Sequence, residues 1–232
     1  MAVTAREVLN RVVIDLHDTD HVRWPLYNLN LYISDGLTQI ASAKPTAFSK
    51  TVTLDLAEGV EQTLPDDVAS ILRVIANKSA AGIMGRAVTP IERHQLDLFW
   101  PHWQDPRYMP YSAEVQHVSY DPASPRTFLV FPGNTGTGKI TATVASGVVT
   151  VTKDVGTEGT KTDHYTMELG IDDAYRSTLV NYVLYRAFTP DQDTPQAAQR
   201  ANAYLQLFTA DLGQRAQNEA TQTPDSITQP GA

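Results

Sequence analysis

The string Gly133-Asn-Thr-Gly-Thr-Gly138-Lys139 has the spacing of a phosphate-binding loop, in which glycine backbone amides cradle phosphates and the lysine reaches the terminal ones. That chemistry also needs a Ser or Thr after the lysine to hold Mg²⁺, and a helix whose N-terminus faces the phosphates. The next residue is Ile140, which ligates no metal, and Ile140-Thr-Ala-Thr-Val144 alternates like a strand. A glycine-rich stretch between two strands is by default a hairpin turn. The context therefore predicts a turn around Lys139, with no nucleotide bound there.

Other residue patterns invite chemistry less strongly. His17-Asp-Thr-Asp-His21 sets two imidazoles four residues apart, which on a helix could share a metal ion. The segment reads as a loop between helices, and no third ligand is identifiable. His94, His102, His117 and His164 stand singly, without a recognisable triad. The acid pairs Asp66-Asp67 and Asp172-Asp173 fall where turns or helices begin, and capping accounts for them. Trp100, Trp103, Tyr108 and Tyr111 could build a sugar-binding platform, but prolines at 101, 106 and 110 describe a rigid segment wrapped over something, so packing is expected. Arg186 follows the apolar run Tyr182-Val-Leu-Tyr185 and should face a carboxylate or carbonyl that the sequence does not name. No catalytic residue, cofactor or metal site is expected.

Totals narrow the classes. The 232 residues fit one large domain or two small ones. With 18 basic against 26 acidic residues the net charge is −8, the opposite of the balance found in proteins that grip nucleic-acid backbones. There is no cysteine, so disulfides, thiolate metal sites and a cysteine nucleophile are excluded. No apolar run approaches the ~20 residues of a spanning helix, and the first residues lack the apolar stretch of a secretory signal.

The elements that must position these residues come in the order helices, strands, helices. Thr4-Ala-Arg-Glu7 reads as a capping box, followed by the stripe Val8, Leu9, Val12, Val13 and Leu16. Pro25 opens a second helix with Leu26, Leu29, Ile33, Leu37 and Ile40 on one face, ending near Lys44-Pro45. Period two then takes over at Val52, Leu54 and Leu56. Thr89-Pro-Ile-Glu92 reads as a second capping box, starting a helix that reaches about Phe99. Residues 115–120 and 127–131 read as one hairpin, and 140–144 and 148–152 as another around Ser146-Gly147. Asp172-Asp173 opens a helix to about Phe188, and Thr194-Pro195 starts the last. In that last helix Ala198, Ala201, Leu205, Phe208 and Leu212 recur at spacings of 3, 4, 3 and 4, a seam that fits packing on one other helix or on a neighbouring subunit. Gly213 weakens or ends it. The fold class expected is α+β: a helical bundle scaffold from the N- and C-terminal helices with an inserted antiparallel β-rich module. The divisions expected are 1–45 (helical hairpin), 46–170 (β-rich module, short helix near 90–99), 171–212 (C-terminal helices) and 213–232 (a flexible tail, disordered when alone).

The ordered series of short strings resembles the podophage-type head-to-tail adaptors, the tail tubular protein A group of tailed bacteriophages. It comprises Asp15 and Trp24 before Lys44-Pro45, Leu64-Pro65, Gly85-Arg-Ala-Val88, Leu96-Asp97, Pro101-His-Trp103 and Phe128-Leu-Val-Phe-Pro132. Tyr182-Val-Leu-Tyr-Arg-Ala-Phe188 with Asp191 or Asp193 follows, then Arg200, Ala201 and Phe208. The match runs to about residue 212 and departs in the Gly/Thr loops of the β module and in the polar tail.

This resemblance implies a non-enzymatic virion protein at the head–tail junction, assembled in the host cytoplasm. Twelve copies would form a ring below the portal, continuing the DNA channel and docking the tail or nozzle protein. Genomic DNA would pass without tight binding, and no membrane is involved. Tyr182, Tyr185, Arg186, Leu205, Phe208, Leu212, Gln214, Arg215 and Ile227 are the candidate subunit and portal contacts. Asn134, Thr135, Thr137 and Lys139 are the candidate tail-facing loop. The alternatives are another phage neck or tail component, a carbohydrate-binding module on the aromatic cluster, or a nucleotide hydrolase at Lys139.

Overall fold

The computed structural model describes residues 3–121, 123–191 and 195–222. The chain divides into two compact units, one made of Met1–Ala47 with Val148–Ala232 and the other of Phe48–Gly147. Its secondary structure is α+β.

In the helical unit, α1 (Ala5–Leu16) opens on the expected capping box: Thr4 Oγ1 accepts from Glu7 N–H and a Glu7 carboxylate oxygen accepts from Thr4 N–H. Its five stripe residues are all buried, as are those of α2 (Leu26–Ala43). Helix α4 (Arg176–Phe188) packs between α2 and α5 (Pro195–Gln222). Gly36 makes the α2–α4 approach possible, since a Cβ there would lie 2.7 Å from Leu179 Cδ1 and 2.8 Å from Tyr182 Cδ1. Helix α5 does not stop at Gly213: it continues to Gln222, into the part expected to be a flexible tail. Gly213 is not among the positive-φ glycines, and nothing lies within 4 Å of where its Cβ would be, so the glycine costs helix propensity without ending the helix.

The polar segment from Val148 to Gly170 was grouped by sequence with the β module, but it belongs to the helical unit. Val151 N–H donates to Ser34 Oγ (3.0 Å), Leu169 N–H to the Val3 carbonyl (2.8 Å) and Ala5 N–H to the Met167 carbonyl (2.9 Å). The expected hairpin partner at 148–152 does not form a strand.

The β unit holds two four-stranded sheets. One has the order β1 (Ser49–Asp55), β8 (Lys139–Ser146), β3 (Val68–Lys78), β4 (Met84–Ala87); the other has β2 (Glu58–Thr63), β7 (Thr127–Thr135), β6 (His117–Tyr120), β5 (Thr89–Pro90). Thr89-Pro90 is thus a strand, paired in parallel with β6, and the expected capping box is not made: Glu92 stands at the N-cap position of the following α3 (Arg93–Phe99) without a side-chain cap hydrogen bond. All other strand pairs are antiparallel, including the expected β6–β7 hairpin with His117 opposite Phe131. β8 lies between β1 and β3, and its Ile140, Ala142 and Val144 join Leu54, Val74, Val118 and Val130 in the core.

Candidate subunit interface and the glycine-rich turn

The α4–α5 seam is built as its spacing demands. Asp172 Oδ1 accepts from Ala174 N–H (2.8 Å) in the turn ahead of α4, and Pro190 follows its end. The Tyr182 ring on α4 meets the Phe208 ring on α5 at 5.1 Å and the Tyr185 ring at 5.9 Å. Ala201, Phe208 and Tyr182 are buried, while Ala198, Leu205, Leu212, Tyr185 and Arg186 are half-buried. Asp211 accepts from Asn181 Nδ2 (3.3 Å) and Thr178 Oγ1 (3.5 Å), and the Arg215 guanidinium lies 5.0 Å above the Tyr175 ring. Tyr182, Ala201 and Phe208 of the seam are therefore buried within one chain. Gln214 is exposed, and Ile227 lies outside the described residues.

Arg186 acquires the partners that sequence left unnamed. Its Nη1 lies 3.2 Å from Asp35 Oδ2 and donates to Tyr182 Oη at 3.3 Å, with the guanidinium 5.1 Å above the Tyr32 ring. Burial works against its charge, but the Tyr182 hydroxyl, Asp35 and Tyr32 outweigh burial and raise its pKa above the ordinary arginine value.

A second cluster escaped the sequence reading. Trp24 Nε1 donates to the Ala187 carbonyl (3.0 Å), and its ring meets Phe188 edge-on at 5.8 Å. Phe188 stacks on Tyr204 at 6.0 Å, and Arg200 sits 5.7 Å above Phe188. Asp15, Trp24, Phe188 and Arg200, four residues of the short strings quoted above, line one cleft of about 550 Å³. The i,i+4 pair Arg200 and Tyr204 was the signal available, but its partner lies across a helix break.

The turn before α2 holds His17 and His21, each at φ 55°. Asp18 ties it, accepting from the N–H groups of Val22 (3.1 Å), Arg23 (3.0 Å) and Trp24 (2.9 Å). Burial opposes ionisation of Asp18, but these three backbone donors and nearby His21 prevail and lower its pKa.

The phosphate-loop look-alike comes apart in the β unit, and it is not the hairpin turn expected, because the flanking β7 and β8 belong to different sheets. Gly133 lies in β7 beneath the Tyr111 ring, where a Cβ would come within 2.5 Å of Cε1. Asn134, expected among the presented loop residues, is instead wholly buried. Its Oδ1 accepts from Gly136 N–H (2.9 Å) and Gly138 N–H (3.1 Å), and its Nδ2 donates to the carbonyls of Ser112 (3.1 Å) and Ala113 (3.2 Å). The turn amides that a phosphate would need are thus engaged by a side chain. Lys139 Nζ lies 2.6 Å from Asp55 Oδ1 across the β1–β8 pair. Thr135 and Thr137 are exposed.

The aromatic cluster also divides. Trp103 is buried and donates to Asp97 Oδ1 (2.9 Å), and Tyr111 covers Gly133. Phe99, Tyr108 and Trp100 remain on the surface, with the His102 ring stacked 4.6 Å from that of Tyr108. Asp66 and Asp67, expected to cap a turn, pair with Arg126 (2.8 Å) and Lys50 (2.6 Å).

The phosphate-loop spacing and much of the aromatic run are thus taken up by the chain's own hydrogen bonds and packing. Residues 3–229 match the family model described as SU10 adaptor protein, and the chain belongs to that family of structural bacteriophage adaptor proteins. No curated protein matches the chain.

Proposed function

We propose that this adaptor sits at the head–tail junction as a dodecameric ring below the portal, continues the DNA channel and offers a platform for the tail. The family match over residues 3–229 carries this reading. The net charge of −8 supports a channel that lets DNA slide without holding it. The helical unit supplies the ring contacts, and the turn bearing Thr135, Thr137 and Lys139 faces the tail protein. The segment after Arg215 docks to the portal.

The C-terminal truncation that tests this ends after Gln217, because Asp211 and Arg215 both contact α4 and its N-terminal turn. The truncated chain is expected to fold with unchanged Tm yet fail to co-sediment with portal particles, on which the full chain forms rings of a single mass. Full co-sedimentation of the truncated chain would remove the docking assignment. A full chain that stays monomeric with portal would remove the ring.

A further inference from the structure

The outer face of α5 is nearly free of charge. From Gln196 to Gln214 the charged residues are Arg200 and Asp211, and Asp211 is turned toward Thr178 and Asn181 of α4. Ala203, Leu207, Ala210 and Gln214 are all exposed and recur at spacings of 4, 3 and 4 residues. That spacing draws them into one narrow stripe of the kind that packs on another helix. Leu207 stands 50% exposed between two alanines, a single knob on a smooth ridge. In a chain with 26 acidic and 18 basic residues, a solvated helix face would carry charges; their depletion marks the core of a protein contact.

The same helical unit has a groove of about 580 Å³ between α1 and α4, with Ile14 and Val180 in its lining. Ile14 is 62% exposed. The ions around the groove already have partners: Arg11 lies 3.8 Å from Asp15, Arg176 pairs with Asp173, and Glu7 accepts from Thr4 N–H at 3.2 Å. An uncharged helix can cover such a groove without bringing in an ion of its own that needs a partner.

We propose that the stripe from Ala203 to Gln214 of one copy packs into the α1/α4 groove of the next, with Leu207 seated against Ile14 and Val180. The two surfaces differ and lie on one unit, so the contact is head-to-tail, the type that closes into rings. This deepens the ring reading above and rests on it.

The chain has no cysteine, so a designed pair is unambiguous. Full-length protein carrying Leu207→Cys and Ile14→Cys, both at exposed positions, is assembled on portal particles and treated with a short bismaleimide. The expected result is a ladder of covalent oligomers up to the full ring, with neither single variant linked. A ring of unchanged mass without a ladder overturns this contact and leaves the ring reading intact. Self-linking by the Leu207→Cys single variant overturns it in favour of a face-to-face pair. A chain that never leaves the monomer with portal overturns both. Leu207→Glu is expected to cut the assembled fraction at least about tenfold at unchanged Tm, the effect of a charge buried in an interface without a partner. Unimpaired assembly of that variant counts against the contact.

Discussion

The ring of Tyr182 on α4 lies 5.1 Å from the ring of Phe208 on α5, and both side chains are buried within one chain. The heptad-like seam is therefore an internal joint. Phe208→Ala is expected to destabilise the helical unit by about 3–5 kcal/mol, the range for deleting a buried phenylalanine. Urea unfolding of the isolated chain measures it. A loss below about 1 kcal/mol would mean that the seam is not packed in the single chain.

Two helical glycines should respond with opposite signs. Gly36→Ala places a methyl 2.7 Å from Leu179 Cδ1 and is expected to cost about 1–3 kcal/mol through overpacking. Gly213→Ala meets nothing within 4 Å and is expected to stabilise by up to about 1 kcal/mol, the helix-propensity difference. Thermal unfolding of the two variants side by side checks both signs.

Asn134→Ala breaks four hydrogen bonds at a wholly buried side chain and leaves two amides and two carbonyls to find new partners. A loss of about 3 kcal/mol is expected. Lys139→Ala removes only a half-exposed ion pair and should change stability by less than about 1 kcal/mol. Labelled ATP should bind neither the parent chain nor Lys139→Ala; measurable binding lost on Lys139→Ala would reinstate the phosphate loop.

Asp18 gives the helical unit an acid dependence. Its folded pKa lies below that of the unfolded chain, so its stabilising contribution is complete above the unfolded value, about 4, and fades as pH falls through the folded value. Asp18→Asn is expected to be less stable than the parent near pH 6, with the gap narrowing as pH falls below about 4. Unfolding free energies of the pair across that range test it, and a gap independent of pH would count against the three backbone contacts.

The sequence made the helical stripes legible because each rests on local periodicity: every apolar residue assigned to α1 and α2 is buried. It also separated the glycine-rich string from nucleotide chemistry, since Ile140 and the alternation after it are local facts. What it missed is non-local. The Asp35 partner of Arg186 lies more than a hundred residues away, as does Trp24 from the Ala187 carbonyl. Val148 to Thr152 alternates like a strand, yet the free edge it would need is absent, because β8 is already paired on both sides. Asn134 looked like a turn residue to be presented; its burial follows from the 112–113 backbone, which no spacing rule links to it. The run of α5 beyond Gly213 shows tertiary contacts at Asp211 and Arg215 overriding a weak helix breaker.

The β unit begins at β1 and ends at β8, and these two strands are partners, with Ser49 opposite Ala145. Its first and last residues are consequently held side by side by its own sheet. A segment closed at the neck in this way behaves as an exchangeable cassette: it can be swapped, enlarged or replaced by a tight turn between Ala47 and Val148 while the strands supply their own closure. This portion of the chain can thus be remodelled on its own while the helices are left unchanged.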